Sequence, residues 1–181
     1  MEITIKKLKE TYVRIAGFVK ESIVDGEGLR ASIYMQGCPH RCEACHNPQT
    51  HEFNEGEIVS VYNLVEKIEQ NPLLSGITLS GGEPFCQAQK LVPFAKYVKQ
   101  KGLNIWCYSG YTLEELKTLS CVDIYVGELL ELVDVLVDGH FEIELKDETL
   151  PFRGSSNQRI IDMSATRKKE MQEVVLKKIK E

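Results

Sequence analysis

Residues 31–48 read ASIYMQGCPHRCEACHNP. Ala31 to Gln36 is a short strand-like run, and it passes almost directly into three thiols, Cys38, Cys42 and Cys45, spaced C-x3-C-x2-C. Spacing of i, i+4, i+7 fits one face of a helix. Pro39 and the Asn47-Pro48 pair favour a loop instead. A loop can wrap and aim three thiolates at a common centre. Three sulfurs would hold three corners of a [4Fe–4S] cube and leave one iron open to a substrate, as catalytic metal sites leave a position open. A zinc ion completed by His40 or His46 as a Cys3His site uses the same loop equally well. Taken alone, the loop does not choose between them.

The next strand downstream shifts the balance. Gly76 to Ser80 (GITLS) ends at Gly81-Gly82-Glu83-Pro84. Glycines at a strand end let the backbone approach a ligand closely, and a small zinc module has no use for such a second site. Upstream, Tyr12 to Val19 reads as extended and Asp25 to Gly28 as a turn. Glu57 to Gln70 has helical spacing, with Ile58, Val61, Leu64, Val65 and Ile68 on one face. A helix within Gln87 to Lys101 turns Leu91, Phe94, Ala95 and Val98 inward, with Pro93 marking its first turn. Leu103 to Tyr108 is a strand closed by Ser109-Gly110, and Thr112 to Glu115 is a capping-box start for a helix to about Leu119. Leu132 to Val137 is a buried-type strand stopped by Asp138-Gly139, and Gln158 to Met163 is a last strand.

Strands alternating with helices predict βαβ units and a parallel sheet, with too few strands for a closed eight-stranded barrel. The expected fold is α/β: an open, partial (βα) barrel with a mostly parallel sheet of five to six strands. The cysteine loop, the GGEP turn, Ser109-Gly110 and Asp138-Gly139 all fall at strand C-terminal ends, where such sheets bind ligands. Residues 1–164 read as one domain. Residues 165–181 read as a charged helical tail, with Met171, Val174, Val175 and Ile179 at near-helical spacing.

A net charge of −5 disfavours a grip on nucleic-acid phosphates, which calls for a basic surplus. No apolar run approaches the roughly 20 residues that span a bilayer, and MEITIKKLKE lacks the apolar core of a signal peptide. No nucleic acid, no membrane and a cytoplasmic location are the expectations. In that reducing compartment the six cysteines are not a disulfide framework. Cys86, Cys107 and Cys121 read as small buried hydrophobes, and Arg30 reads as a surface residue.

The cysteine loop after one strand and GGEP after the next resemble the radical S-adenosylmethionine (SAM) superfamily. DGEG at Asp25 to Gly28, IWCYSGY at Ile105 to Tyr111, VLVDGHF at Val135 to Phe141 and FRGSSNQRIID at Phe152 to Asp162 narrow the resemblance. Together they are similar to the activating proteins of anaerobic ribonucleoside-triphosphate reductases, from about Tyr12 to Asp162. The resemblance implies a radical SAM type of partial barrel with two cofactors, a [4Fe–4S] cluster and SAM. It implies that Cys38, Cys42 and Cys45 ligate the cluster. Gly81 and Gly82 would receive the methionine end of SAM, with Glu83 shaping the turn, and Ala44, Cys45 and His46 would lie along its adenine. His46 departs from the Tyr or Phe usual after the third cysteine. The implied reaction is reductive cleavage of SAM to a 5′-deoxyadenosyl radical that takes hydrogen from a glycine of the reductase, with a donor such as flavodoxin. Asp138, His140 and the Arg153 to Gln158 segment are secondary candidates for polar contacts. Alternatives are an activase of another glycyl radical enzyme such as pyruvate formate-lyase, a short radical SAM enzyme acting on a small molecule, and a zinc-stabilised module or electron carrier.

Overall fold

The computed structural model describes residues 4–179. In chain order the elements are α1 (Ile5–Lys9), β1 (Tyr12–Ser22), β2 (Arg30–Met35), β3 (Glu57–Ser60), α2 (Val61–Glu69), β4 (Gly76–Gly81) and α3 (Ala88–Gln100). Then follow β5 (Asn104–Ser109), α4 (Leu113–Ser120), α5 (Ile124–Leu132), β6 (Val135–Asp138), β7 (Arg159–Asp162) and α6 (Met163–Lys168). The strands form one open sheet in the order β3-β1-β2-β4-β5-β6-β7. Its central strands β2, β4, β5 and β6 are parallel, and β1, β3 and β7 add antiparallel margins.

Side chains alternate across a strand, and the two faces of this sheet differ. Ile33, Met35, Ile77, Leu79, Ile105, Cys107, Leu136 and Ile161 belong to the main core, together with Leu64 of α2, Leu91 and Phe94 of α3, Leu116 of α4 and Leu129 of α5. On the opposite, concave face Trp106, Val135, Val137 and Ile160 form a smaller cluster with Tyr108, Phe152 and Ile179. Removing a buried aromatic such as Phe94 from the main core costs about 3–5 kcal/mol. That rigid layer holds the loops at the strand ends in place.

The α/β class and the open sheet match the expectation, but the sheet has seven strands. The additional one is β3, where the expected helix begins as a strand and Ser60 accepts from the Asn63 amide as the helix cap. Ile58 therefore sits on a strand, and the helix starts at Val61. Pro93 lies in the interior of α3, which starts five residues earlier; the carbonyl it leaves unmatched belongs to the exposed Gln89. α5 has no counterpart in the sequence reading, because IYVGELLEL is apolar nearly all round and shows no stripe.

Three further expectations are corrected. The tail is helical only through Lys168, because Glu170 and Met171 take left-handed backbone conformations and turn the chain. It then pairs with the sheet margin: Asp162 N–H donates to Val175 O and Lys177 N–H to Ile160 O, at 2.8 Å each. Pairing satisfies backbone groups of an edge strand while Met171 and Val174 pack on the core. Residues 180–181 of that tail, like residues 1–3, lie outside the described residues. Arg30 is fully buried, its guanidinium donating to Thr78 Oγ1 and the Glu27 and Ile77 carbonyls beside the Trp106 ring. Of the three scattered cysteines only Cys107 is buried; Cys86 and Cys121 are exposed.

Candidate functional site

The thiol loop leaves β2 at Gln36 and is clamped at its base. Gly37 N–H donates to Thr50 O at 2.8 Å, Cys38 N–H to His51 O at 3.0 Å, and the Gln36 side-chain Nε2 to the carbonyls of Gln49 and Glu52. Between these bonds the chain wraps tightly, with Arg41 and Ala44 at φ of 49° and 54°. Such values are uncommon for residues with a Cβ. The few local bonds inside the wrap include Cys45 N–H to Cys42 O and Asn47 N–H to the Cys45 sulfur at 3.3 Å each. Cys38, Cys42 and Cys45 are free, partly buried, and line one cavity of about 640 Å³. Burial pushes the Cys38 and Cys42 thiols up, and a neighbouring thiol adds to it in each case. Cationic metal reverses that pressure and favours thiolates.

The donor set fits a polynuclear cluster with three protein corners. Among the described residues no group of three or more His, Cys, Asp or Glu, the three cysteines included, is drawn together around one point. His40 is only 6% exposed and lies 3.0 Å from Glu83 Oε2. Its ring meets Tyr111 and His140 edge-on, with centroids 4.4 and 4.5 Å away. His46 packs against Phe141 at 4.7 Å. A Cβ on Gly154 would come within 2.7 Å of the His46 ring.

The glycine turn is stitched to this loop. Gly82 N–H donates to Met35 O and Glu83 N–H to Gly37 O, both at 2.8 Å. The approach requires glycine at two places. Gly81 has φ 87°, and a Cβ on Gly82 would stand 2.5 Å from Gly37 O. Glu83 is wholly buried and acts as a hub. Its carboxylate accepts from the Phe85 and Gly110 amides, the Ser109 hydroxyl and His40. A buried carboxylate so satisfied fixes the ends of β4 and β5 to one another.

Of the candidates drawn from the sequence, Cys38, Cys42, Cys45, His46 and Gly81 line the cavity. Ala44 lies on the exposed side of the loop, and Gly82 and Glu83 stand behind the cavity wall. Asp138 is buried and accepts from the Leu113 amide and the Arg159 guanidinium, so it anchors α4 and β7. His140 is exposed. The Arg153 to Gln158 segment divides its polar groups between itself and the preceding loop: Gln158 Oε1 accepts from the Gly154 and Ser155 amides and Arg153 donates to Gln158 O, while the Asn157 and Gln158 side-chain amides donate to the carbonyls of His140 and Gly139. Arg153 lines the cavity and keeps a buried Nε without a partner.

Sequence reasoning missed the cavity floor. Tyr34, Ser80 and Tyr108 line it beside Asp25, which accepts from Ser22, Ser32 and Tyr34. Burial and the Asp25 charge push the Tyr34 phenol up to about 12, and burial raises Tyr108 as well, so both floor phenols are neutral at physiological pH. Period-two alternation within these three strands was the available signal.

Comparison with known proteins agrees with this geometry. A family profile described as "4Fe-4S single cluster domain" matches residues 24–161. The anaerobic ribonucleoside-triphosphate reductase-activating protein of Pasteurella multocida is 36% identical over 76% of this chain and 90% of its own length. Its Escherichia coli K12 counterpart is 34% identical over 75% of this chain and 90% of its own length. The corresponding protein of Enterobacteria phage T4 is 32% identical over 76% and 86%. The crystal structure of QueE from Escherichia coli aligns at TM-score 0.47 and 18% identity over 60% of this chain and 56% of that one, a likeness too weak to carry an argument. The chain belongs to the family of anaerobic ribonucleoside-triphosphate reductase-activating proteins.

Proposed function

We infer that the chain activates an anaerobic ribonucleoside-triphosphate reductase by turning one of its glycines into a glycyl radical. In this reading Cys38, Cys42 and Cys45 hold a [4Fe–4S] cluster, and SAM lies against its open corner. When bound and reduced, these groups supply the electron that breaks the sulfonium bond and the 5′-deoxyadenosyl radical that takes the glycine hydrogen. The observation that carries the reading is the stitching of the glycine turn to the thiol loop through Met35 and Gly37. It sets a metal-binding wall beside a backbone wall, the arrangement that a cofactor chelated at its amino-acid end calls for.

The residues of this chain bind, orient and shield. Gly81 offers the methionine end a surface without a side chain, and Gly82 lets turn and loop touch. Glu83 keeps the turn rigid from behind. Ala44 carries the loop round so that Cys45 and His46, with Phe141 and Gly154, form a wall for the purine. Neutral Tyr34 and Tyr108 floor the cavity. The mouth is open, and a reactive carbon radical needs water excluded and its target held close; the reductase's own glycine loop closes it. The electron donor is a low-potential carrier of the flavodoxin type, and the cytoplasm is the compartment in which these thiols stay reduced.

Anaerobic reconstitution tests the reading. Four irons and four sulfides per chain, deoxyadenosine formation under dithionite, and a doublet paramagnetic signal on the added reductase are the expected results. Stoichiometric zinc without SAM cleavage overturns the enzyme reading, and turnover of a small molecule without any reductase overturns the choice of substrate.

A further inference from the structure

The concave face of the sheet is filled unevenly. Its apolar cluster draws on β5, β6 and β7 and includes no residue of β1 or β3. Over β1 and β3, Tyr12, Val19 and Ile58 are 53%, 40% and 58% exposed. Register puts them on this side. Val19 stands opposite Ser32, whose hydroxyl reaches Asp25 at the cavity floor. Tyr12 and Ile58 flank the buried pair Val13 and Val59 and so point away from the core. Gly17 stands opposite Tyr34 of the cavity, and a Cβ built on it meets nothing within 4 Å. Past the end of β1 come Ile23 and Val24, each 73% exposed and both lining the cavity. Five of the twelve large hydrophobics exposed among the described residues thus lie along this face, with Arg14 set between Tyr12 and Val19, and the row ends at the lining of the site. A concentration of this kind marks an interaction surface rather than scattered surface residues.

We propose that this strip is the docking surface for the reductase, receiving an apolar face of the domain that carries the glycine loop. The proposal rests on the function inferred above. Continuity selects the occupant. Hydrogen transfer demands the target carbon inside the cavity within a few ångströms of the reacting centre; Ile23 and Val24 are exposed residues of the cavity lining, and the strip extends from them, so a protein substrate entering along this side is met by a continuous surface. A second copy of this chain seated there would block the mouth that the substrate needs. Binding is then driven by burial of Tyr12, Val19 and Ile58, and the chemistry inside the cavity is independent of these three side chains.

The test pairs Val19→Glu with Ile58→Glu, both outside the cavity lining, and uses the reconstituted holoprotein. Gly17→Arg serves as a second variant that adds bulk in open space. Deoxyadenosine formation under dithionite without reductase should equal that of the unsubstituted protein. Affinity for the reductase by biolayer interferometry should fall at least tenfold, with a matching loss of glycyl-radical signal at limiting protein. Val122→Glu and Ile124→Glu, exposed but off the strip, should bind normally. Unchanged affinity in the strip variants, or equal losses in both sets, overturns the surface and leaves the function standing. A stable dimer of this chain that Val19→Glu dissolves without weakening reductase binding also overturns it. A holoprotein that cleaves SAM but never binds the reductase removes the functional reading, and this proposal falls with it.

Discussion

The thiol loop and the glycine turn face the same cavity, yet they are held in opposite ways. The loop is clamped at its base by bonds from Gly37, Cys38 and Gln36, while its three thiols project from a wrap with few internal bonds. The turn is finished from behind, where a fully buried Glu83 gathers donors from Phe85, Ser109, Gly110 and His40. One region is completed by what binds to it; the other is completed by the chain itself. A substitution in the loop should therefore erase chemistry and spare the fold, and one in the turn should do both kinds of damage.

Cys42→Ser is the strongest test of that division. Iron uptake and deoxyadenosine formation should vanish, while the metal-free chain unfolds in urea within about 0.5 kcal/mol of the unsubstituted protein, as surface changes do. A large loss of stability would mean that the loop is part of the core after all. Glu83→Ala should damage the fold as well as the chemistry and cost about 3–5 kcal/mol in the same urea titration, since it strands His40 and three other donors. Gly82→Ala sharpens the contrast, because its Cβ would press on Gly37 O. It should cost about 1–3 kcal/mol and weaken SAM binding at least tenfold by calorimetry, with iron content retained.

His46→Ala probes the loop's other edge. Iron content should be unchanged, and the SAM dissociation constant should rise about fivefold, the low end of the roughly 1–3 kcal/mol that stacking on a base contributes. The smallest effect lies far from both regions. Hydrogen bonding to Arg159 lowers the Glu114 carboxyl, so this pair adds stability above the ordinary carboxylate range and loses it as pH falls below about 4.5. Glu114 is mostly exposed, which limits the contribution to under about 1 kcal/mol. Glu114→Gln should flatten that segment of the acid-stability curve and leave cofactor binding untouched.

Much of this was legible in the residues. Strong alternation of apolar runs with GGEP, Ser109-Gly110 and Asp138-Gly139 gave the strand ends, and the capping box at Thr112 and Glu115 is formed as read. What stayed hidden depended on distant partners. Arg30 looks like a surface cation until Thr78 and Ile77, 47 or more residues away, supply its acceptors. The contact of His40 Nε2 with Glu83, 43 residues on, is equally invisible in the sequence. β3 hid because Ile58 keeps helical spacing with Val61 and Val65, and only its antiparallel register with Arg14 gives it away. The tail imitates an amphipathic helix because its apolar residues must meet a core in either conformation.

That tail has a bearing on self-association. An open sheet presents two margins of unpaired amides and carbonyls, each an invitation for a neighbouring copy to add a strand. Here Val175 to Lys177 already occupy the β7 margin, and Lys177 reaches on to Glu27 at 2.8 Å. The margin at β3 is four residues long and begins with a glutamate. Fibre-like stacking needs both ends of the sheet, so with one end capped the molecule can keep its apolar strip bare for a partner without polymerising.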